Sequence, residues 1–181
     1  LTVALSGDGG DELFGGYNRY FWGPRIWNRL AWLPWPLRRT IGLAIRSLPP
    51  AGWDVLGRPL PINQFGHKAH KLGDRLRYVR TADDLYRSLV SEWRDPAALL
   101  LPDADGSPIQ DPRSPLDWPL PAAVSSDAVA RMMAIDTLNY LPNDILTKVD
   151  RAAMAVSLET RCPFLDHSVA ELAWRLPMSM K

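Results

Sequence analysis

The sequence is poor in cysteine, in net charge and in long apolar segments, and each absence excludes a class of protein. Its 181 residues contain one cysteine, which excludes a disulfide framework and is typical of a reducing cytoplasm. Basic and acidic residues number 21 and 20, so bulk charge favours neither nucleic acid nor a membrane surface as a partner. No apolar run reaches the roughly 20 residues of a membrane span. We therefore expect a cytoplasmic, globular chain that is long enough to form one core.

Two common phosphate-binding motifs are also missing. The P-loop needs G-K-[ST] after its glycines, and no lysine precedes Lys68. The dinucleotide fingerprint G-x-G-x-x-G places its third glycine where this chain has Glu12. The glycine-rich segment near the start of the chain is therefore of another kind.

The most informative segment runs from Ser6 to Glu12 and reads Ser-Gly-Asp-Gly-Gly-Asp-Glu. It follows a short apolar run, so the order predicts a strand, a loop and the beginning of a helix, where backbone N–H groups can hold phosphates. The segment carries three carboxylates, those of Asp8, Asp11 and Glu12. Because they would repel a bare phosphate, we expect the ligand to bring Mg²⁺, which prefers oxygen ligands. A turn followed by an ordinary acidic helix start has the same pattern.

A second segment, residues 141–166, predicts a helix, a break and a second helix. Leu146, Val149 and Ala153 recur at helical spacing, which places Lys148 and Arg151 together on a different face. Pro163 ends this stretch because the residue before a proline is held extended. Asp166 is positioned to cap the helix that follows.

Together the two segments resemble the synthetase domain of glutamine-dependent asparagine synthetases. Residues 6–17 are similar to the motif S-G-[DE]-G-x-D-E-x-F-G-G-Y, and residues 148–166 are similar to [KR]-x-D-[KR]-x-x-M-x-x-S-x-E-x-R-x-P-F-L-D. The resemblance implies an α/β fragment that is predominantly α-helical. It would belong to an adenine-nucleotide α-hydrolase-like (PP-loop ATPase) domain, with one parallel strand at the N-terminus.

The resemblance also implies a reaction. Such a domain uses ATP and Mg²⁺ to convert a carboxylate, usually that of aspartate, into an acyl-adenylate and pyrophosphate. Ammonia released from glutamine in a separate, upstream glutaminase domain then forms the amide. A relative that amidates a sugar acid or a peptide carboxylate would show the same residues, and so would a binding module that kept the fold without the chemistry.

Roles follow by position in the two motifs. Asp8 would handle the proton of the incoming amine, Asp11 would hold Mg²⁺, and Glu12 would orient the substrate or cap the helix. Lys148 or Arg151 would neutralise the departing pyrophosphate, and the sequence leaves open which of them does so. The nucleotide would contact Ser6, Gly7, Gly9 and Gly10.

Two parts expected of such a protein are absent from the 181 residues. One is the S-G-G-x-D-S loop that cradles ATP, and the other is the glutaminase domain with its N-terminal cysteine. We therefore expect residues 1–181 to be the C-terminal portion of a single synthetase domain, inactive on its own. Cys162 is then expected to be an apolar core thiol. Arginine outnumbers lysine 17 to 4, which is typical of a GC-rich bacterial genome.

The rest of the chain predicts helices joined by loops. Helices are expected at residues 34–48, 67–80, 82–93 and 127–141, and loops at 49–66 and 102–121. We expect Arg38, Arg39 and Arg46 to be solvated. The aromatic cluster Phe21, Trp22, Trp27, Trp32 and Trp35 is expected to be packed, and its density indicates that part of this surface meets the missing domain. Glu159 and Arg161 are expected to form a structural ion pair or a loop clamp. His67 with His70 offers too few ligands for a metal, and Asp103 with Asp105 lacks the glutamate that closes a calcium loop.

Overall fold

Helices make up most of the computed structural model, which describes residues 2–59, 61, 63–91 and 118–181. The α-helices are α1 (Gly10–Phe14), α2 (Asn18–Ala31), α3 (Trp35–Ser47), α4 (Pro50–Leu56), α5 (Phe65–Tyr78), α6 (Ala82–Val90), α7 (Ala122–Ser125), α8 (Ala128–Ile135), α9 (Thr147–Met154) and α10 (His167–Arg175). A π-helix (Asp136–Leu146) joins α8 to α9, and short 3₁₀ turns lie at Pro163–Leu165 and Met178–Met180. The strands are β1 (Val3–Leu5) and β2 (Glu159–Arg161). None of the helices in the described part of the chain is long and apolar enough to cross a membrane.

The chain divides into two compact units, which are described separately. The first comprises the described parts of Leu1–Pro24 and Leu100–Lys181, and the second comprises the described part of Arg25–Leu99.

The first unit contains a two-stranded parallel sheet. β1 pairs with β2 in the register Val3 with Glu159, Ala4 with Thr160 and Leu5 with Arg161. The sequence predicted the first strand and missed the second, because three residues without an apolar pattern become a strand only through pairing with a distant segment. The short helix α1 follows β1 and lies against α8, α10 and the π-helix. Leu13, Met133 and Ala173 are buried in this core.

A continuous helical run from Ala128 to Met154 forms the other side of this unit. It begins at Asp127, whose carboxylate accepts hydrogen bonds from the N–H groups of Val129 and Ala130 at 2.8 Å each. The expected helices at 127–141 and beyond residue 141 are therefore confirmed as one run. Its middle is a π-helix that contains Pro142, a residue without an N–H to donate. π-helical segments occur frequently at functional sites.

The second unit is a helical assembly around α3 and α5. The two helices approach closely at Gly42, where a Cβ would lie 2.5 Å from the carbonyl oxygen of Gly73. α4 and α6 pack on α5. The expected helices at 34–48, 67–80 and 82–93 are confirmed as α3, α5 and α6. The third of these is confirmed for the residues that the structure describes, which end at residue 91 in this part of the chain. The expected loop at 49–66 was wrong in part, because Pro50 begins α4 and proline is well suited to a first helical turn.

Two surface expectations need correction. Arg38 is buried, with 4% of its surface exposed, and it donates to the carbonyl of Val79 at 3.2 Å. Conversely, Phe21, Trp22 and Trp32 are 52%, 56% and 76% exposed, so the expectation that they are packed was wrong. Most of the loop expected at 102–121, including Asp103 and Asp105, lies outside the described residues.

Candidate functional site

The loop after β1 is shaped by a left-handed glycine. Gly9 has φ of 92°, a conformation that glycine adopts readily and other residues avoid. The N–H of Gly10 donates to the carbonyl of Gly7 at 3.2 Å, and that of Leu13 donates to the carbonyl of Gly9 at 3.1 Å. A Cβ at Gly9 would lie 2.6 Å from Cδ2 of Leu165. The turn therefore requires glycine for both its backbone angle and its contact with the second motif segment.

A cavity of ≈ 530 Å³ opens beside this loop. Its size is within the roughly 300–1,000 Å³ of small-molecule sites. The two motif segments, far apart in the sequence, both contribute to its wall. The lining residues are Gly7, Asp8, Gly9, Gly10, Asp11, Glu12, Phe14, Tyr17, Ile145 and Phe164.

Phe164 forms the apolar part of the wall. Its ring lies 3.3 Å from the position of a Cβ on Gly10, and it packs edge-on against Phe14 with 5.9 Å between ring centroids. Sequence reasoning gave Phe164, Ile145 and Phe14 no role. The signal for Phe164 was its place in the P-F-L-D end of the second motif.

The three carboxylates of the loop occupy different environments. Asp11 is exposed, whereas Asp8 is half-buried and accepts a hydrogen bond from the hydroxyl of Ser6. Glu12 is only 1% exposed, and the hydroxyl of Tyr17 donates to its Oε1 at 2.8 Å. Burial raises the pKa of the Glu12 carboxyl above its ordinary value, although the hydrogen bond from Tyr17 acts in the opposite direction. Asp8 and Asp11 are thus the more accessible pair.

The donor set suits a cation that is shared with a phosphate. Among the described residues, no three histidine, cysteine, aspartate or glutamate side chains converge as a metal site. Mg²⁺ is commonly held by one or two carboxylates together with substrate phosphates and water. Asp11 and Asp8 offer such oxygens on the cavity wall, and none of the described lining residues is basic, so a cation would offset their charge.

The two predicted cations do not line this cavity. Lys148 is 65% exposed, and its Nζ lies 3.9 Å from Oδ2 of Asp144 one turn earlier. Arg151 is exposed on the same helix, α9. The structure therefore groups Gly7, Asp8, Gly9, Gly10, Asp11 and Glu12, while Ser6, Lys148 and Arg151 are not part of the lining.

Cys162 lies near the loop. It is half-buried, and burial together with the negative charge of Asp8 raises the pKa of its thiol.

The expected ion pair between Glu159 and Arg161 is confirmed, with Nε of Arg161 2.8 Å from Oε1 of Glu159. His70 bonds to the carbonyl of Leu48 at 2.7 Å.

The sequence did not indicate a set of residues on the cavity wall and next to it. Tyr17 is the last residue of the first motif, which gives it no role, and it supplies the hydrogen bond to Glu12. Arg19 and Asp136 pair with each other next to it. No sequence pattern links two residues that are 117 positions apart.

A glycine-shaped turn, accessible carboxylates and a cavity of this size define a candidate small-molecule site. Comparison with known proteins gives the family. The family model described as asparagine synthase matches residues 1–181, and this chain belongs to that family.

Relatives with curated names are bacterial. "Asparagine synthetase (glutamine-hydrolyzing) 1" of Bacillus subtilis is 31% identical over 185 residues, which cover 100% of this chain and 26% of that protein. The "Putative asparagine synthetase (glutamine-hydrolyzing)" of Mycobacterium tuberculosis is 35% identical over 188 residues, which cover 100% of this chain and 25% of that protein. The chain thus spans about a quarter of the length of these relatives. No solved structure matches it.

Proposed function

We propose that this chain carries the carboxylate-activating site of an asparagine synthetase that uses ATP and takes its amide nitrogen from glutamine. The observation that carries the proposal is the cavity, because both motif segments line it and its accessible polar groups are carboxylates. The fold would be the C-terminal portion of one PP-loop ATPase-type domain. The glutaminase domain would lie elsewhere on the same polypeptide.

Asp11 is the proposed holder of Mg²⁺, which would offset charge on the ATP phosphates during adenylation. Backbone groups of Gly7, Gly9 and Gly10, with Ser6 at the end of the strand, would contact the nucleotide. Glycine at position 9 permits the left-handed turn that shapes this loop.

Asp8 is the proposed proton acceptor of the second half-reaction. Ammonia attacks the acyl-adenylate carbonyl, AMP leaves, and the nitrogen must lose a proton to become an amide. A half-buried carboxylate on the cavity wall, held by the Ser6 hydroxyl, suits that task. Glu12 is the proposed orienting residue for substrate, fixed by Tyr17.

Lys148, or alternatively Arg151, is proposed to neutralise the leaving pyrophosphate. In the structure Lys148 pairs with Asp144 across one helical turn. An exposed pair of this kind stabilises a helix by about 0.5 kcal/mol or less. Phosphate charge would therefore displace Asp144 from Lys148 easily.

The test is ATP–pyrophosphate exchange by the protein expressed from its complete reading frame, with a panel of carboxylates that includes aspartate. Aspartate-dependent exchange supports the proposal. Exchange with another acid keeps the mechanism and changes the substrate. No exchange with any acid contradicts the proposal and favours a binding module.

Two variants separate the roles of the carboxylates. Asp11→Ala should lose Mg²⁺-dependent exchange. Asp8→Asn should keep exchange, which precedes the proton transfer, and should lose asparagine formation. Glu171→Gln is the matched control, because it makes the same carboxylate-to-amide change at an exposed position on α10. Loss of exchange in Asp8→Asn would refute the division of roles.

A further inference from the structure

An ion pair between Arg19 and Asp136 lies behind the cavity and is not used in the proposed chemistry. Asp136 has no exposed surface, and the side chain of Arg19 is 17% exposed. Oδ2 of Asp136 accepts hydrogen bonds from Nε of Arg19 at 2.9 Å and from the hydroxyl of Tyr20 at 2.5 Å, while Nη2 of Arg19 lies 2.8 Å from the same oxygen. The Asp136 carboxylate is thus held through one oxygen by a charged guanidinium and a hydroxyl, and hydrogen bonds that involve a charged group are stronger than neutral ones.

Arg19 also packs against two tyrosine rings, and one of them, that of Tyr17, lines the cavity. Its guanidinium carbon lies 3.8 Å from the ring centroid of Tyr17 and 4.9 Å from that of Tyr140. Tyr17 in turn donates to Glu12, and both Tyr17 and Glu12 line the cavity. A continuous set of contacts therefore runs from buried Asp136 to a carboxylate of the site.

Asp136 also connects to the second motif segment. It is the first residue of the π-helix, the helix that presents Ile145 to the cavity and continues into α9, which bears Lys148. The Arg19–Asp136 pair thus joins the chain just after the acidic loop to the helix that leads to Lys148.

We propose that Arg19 and Asp136 are a positioning pair, which holds Tyr17 against Glu12 and fixes the π-helix beside the acidic loop. The inference rests on the proposed function, because it assigns these residues to the same site. Neither residue touches the cavity, so their effect on the reaction is indirect, through Tyr17.

A set of variants in the complete protein separates positioning from simple stability. Arg19→Leu or Asp136→Leu alone removes one charge of a largely buried pair. The double variant removes both charges, takes the hydrogen-bond acceptor from the neutral Tyr20 hydroxyl, and should recover part of the folding stability. Positioning predicts that the double variant regains a higher melting temperature than either single variant. Its exchange kcat should nevertheless stay about 10- to 100-fold below wild type, the range typical of supporting groups around a site, with KM for ATP little changed.

Tyr17→Phe tests the route of the effect. It removes the hydroxyl that donates to Glu12 and leaves the ring on Arg19. It should reproduce the loss of kcat, and adding it to the double variant should cause little further loss, because residues acting through one contact are not additive. Full activity in Tyr17→Phe, or recovery of kcat together with melting temperature in the double variant, would overturn the proposal. Tyr17→Phe also keeps the proposal testable where the leucine variants do not fold.

Hydrogen–deuterium exchange gives a readout that needs no activity. The peptide covering residues 10–17 should exchange faster in the double variant than in wild type. In Leu85→Ala, a core change in the other unit, the same peptide should exchange at the wild-type rate. A wild-type protein without ATP–pyrophosphate exchange would defeat the proposed function while this measurement still decides on the pair. Unchanged exchange in residues 10–17 would overturn the inference.

Discussion

Replacing Gly9 by alanine tests the geometry of the loop quantitatively. At φ of 92° a residue with a Cβ is strained by about 1–2 kcal/mol. The added Cβ would also lie 2.6 Å from Cδ2 of Leu165. That side chain is 39% exposed and can shift, so the overlap adds less than the backbone strain. We expect a local destabilisation of about 2 kcal/mol.

Gly10→Ala is the matched control. Gly10 is the first residue of α1. Alanine is favoured over glycine by about 0.5–1 kcal/mol in the middle of a helix, and we expect a smaller gain at this first position. A Cβ there would lie 3.3 Å from Cε2 of Phe164, a tight contact that offsets the gain. The expected net change is close to zero.

Hydrogen–deuterium exchange of the peptide covering residues 7–17 measures both variants in the complete protein. A destabilisation of about 2 kcal/mol corresponds to opening that is roughly 30-fold more frequent. Gly9→Ala should therefore exchange faster by about that factor, and Gly10→Ala should match wild type. Equal protection in the two variants would refute the left-handed turn at Gly9.

Three further changes test other parts of the structure. Asp8→Asn should lower the raised pKa of the Cys162 thiol and so speed its alkylation by iodoacetamide near pH 8, because a thiolate reacts and a thiol does not. As a control, wild type and Asp8→Asn should react equally when unfolded in urea. Equal rates in the folded proteins would contradict the proximity of Asp8 to Cys162. Thr81→Ala removes the capping box that Thr81 forms with Asp84 and should destabilise α6 by about 1 kcal/mol, seen as faster hydrogen exchange there; unchanged protection would show that the cap contributes nothing. Arg38→Met should lower the melting temperature by removing the donor to a buried carbonyl, a loss of about 1–3 kcal/mol, whereas an unchanged melting temperature would be expected of a solvated arginine.

Local rules predicted much of the fold. α3 lies where prolines mark both ends of a predicted helix, and Asp166 caps α10 as expected by accepting from the N–H of Ser168. α5 and α6 overlap the helices expected at 67–80 and 82–93. These features depend on neighbouring residues, which a sequence displays directly. α4 was missed because its prolines and glycine were assigned to a loop, although Pro50 fits a first turn.

Features that depend on distant residues were not predictable in the same way. β2 exists because Glu159–Arg161 lies beside β1, and the burial of Arg38 depends on carbonyls some 41 positions away. At the candidate site the sequence identified the acidic loop, whose residues line the cavity. It could not identify the Arg19–Asp136 pair, since only folding brings these residues together. The roles of Lys148 and Arg151 stay predictions.

The central claim is that the cavity activates a carboxylate as its adenylate. The most direct measurement is isotope transfer in the complete protein, supplied with ATP, glutamine and aspartate whose side-chain carboxylate is labelled with ¹⁸O. Attack of the carboxylate on the α-phosphate, followed by attack of ammonia on the carbonyl, leaves one carboxylate oxygen on AMP. The account predicts AMP that carries one ¹⁸O for each asparagine formed. Label in inorganic phosphate with ADP as the product, or AMP without label, would contradict it.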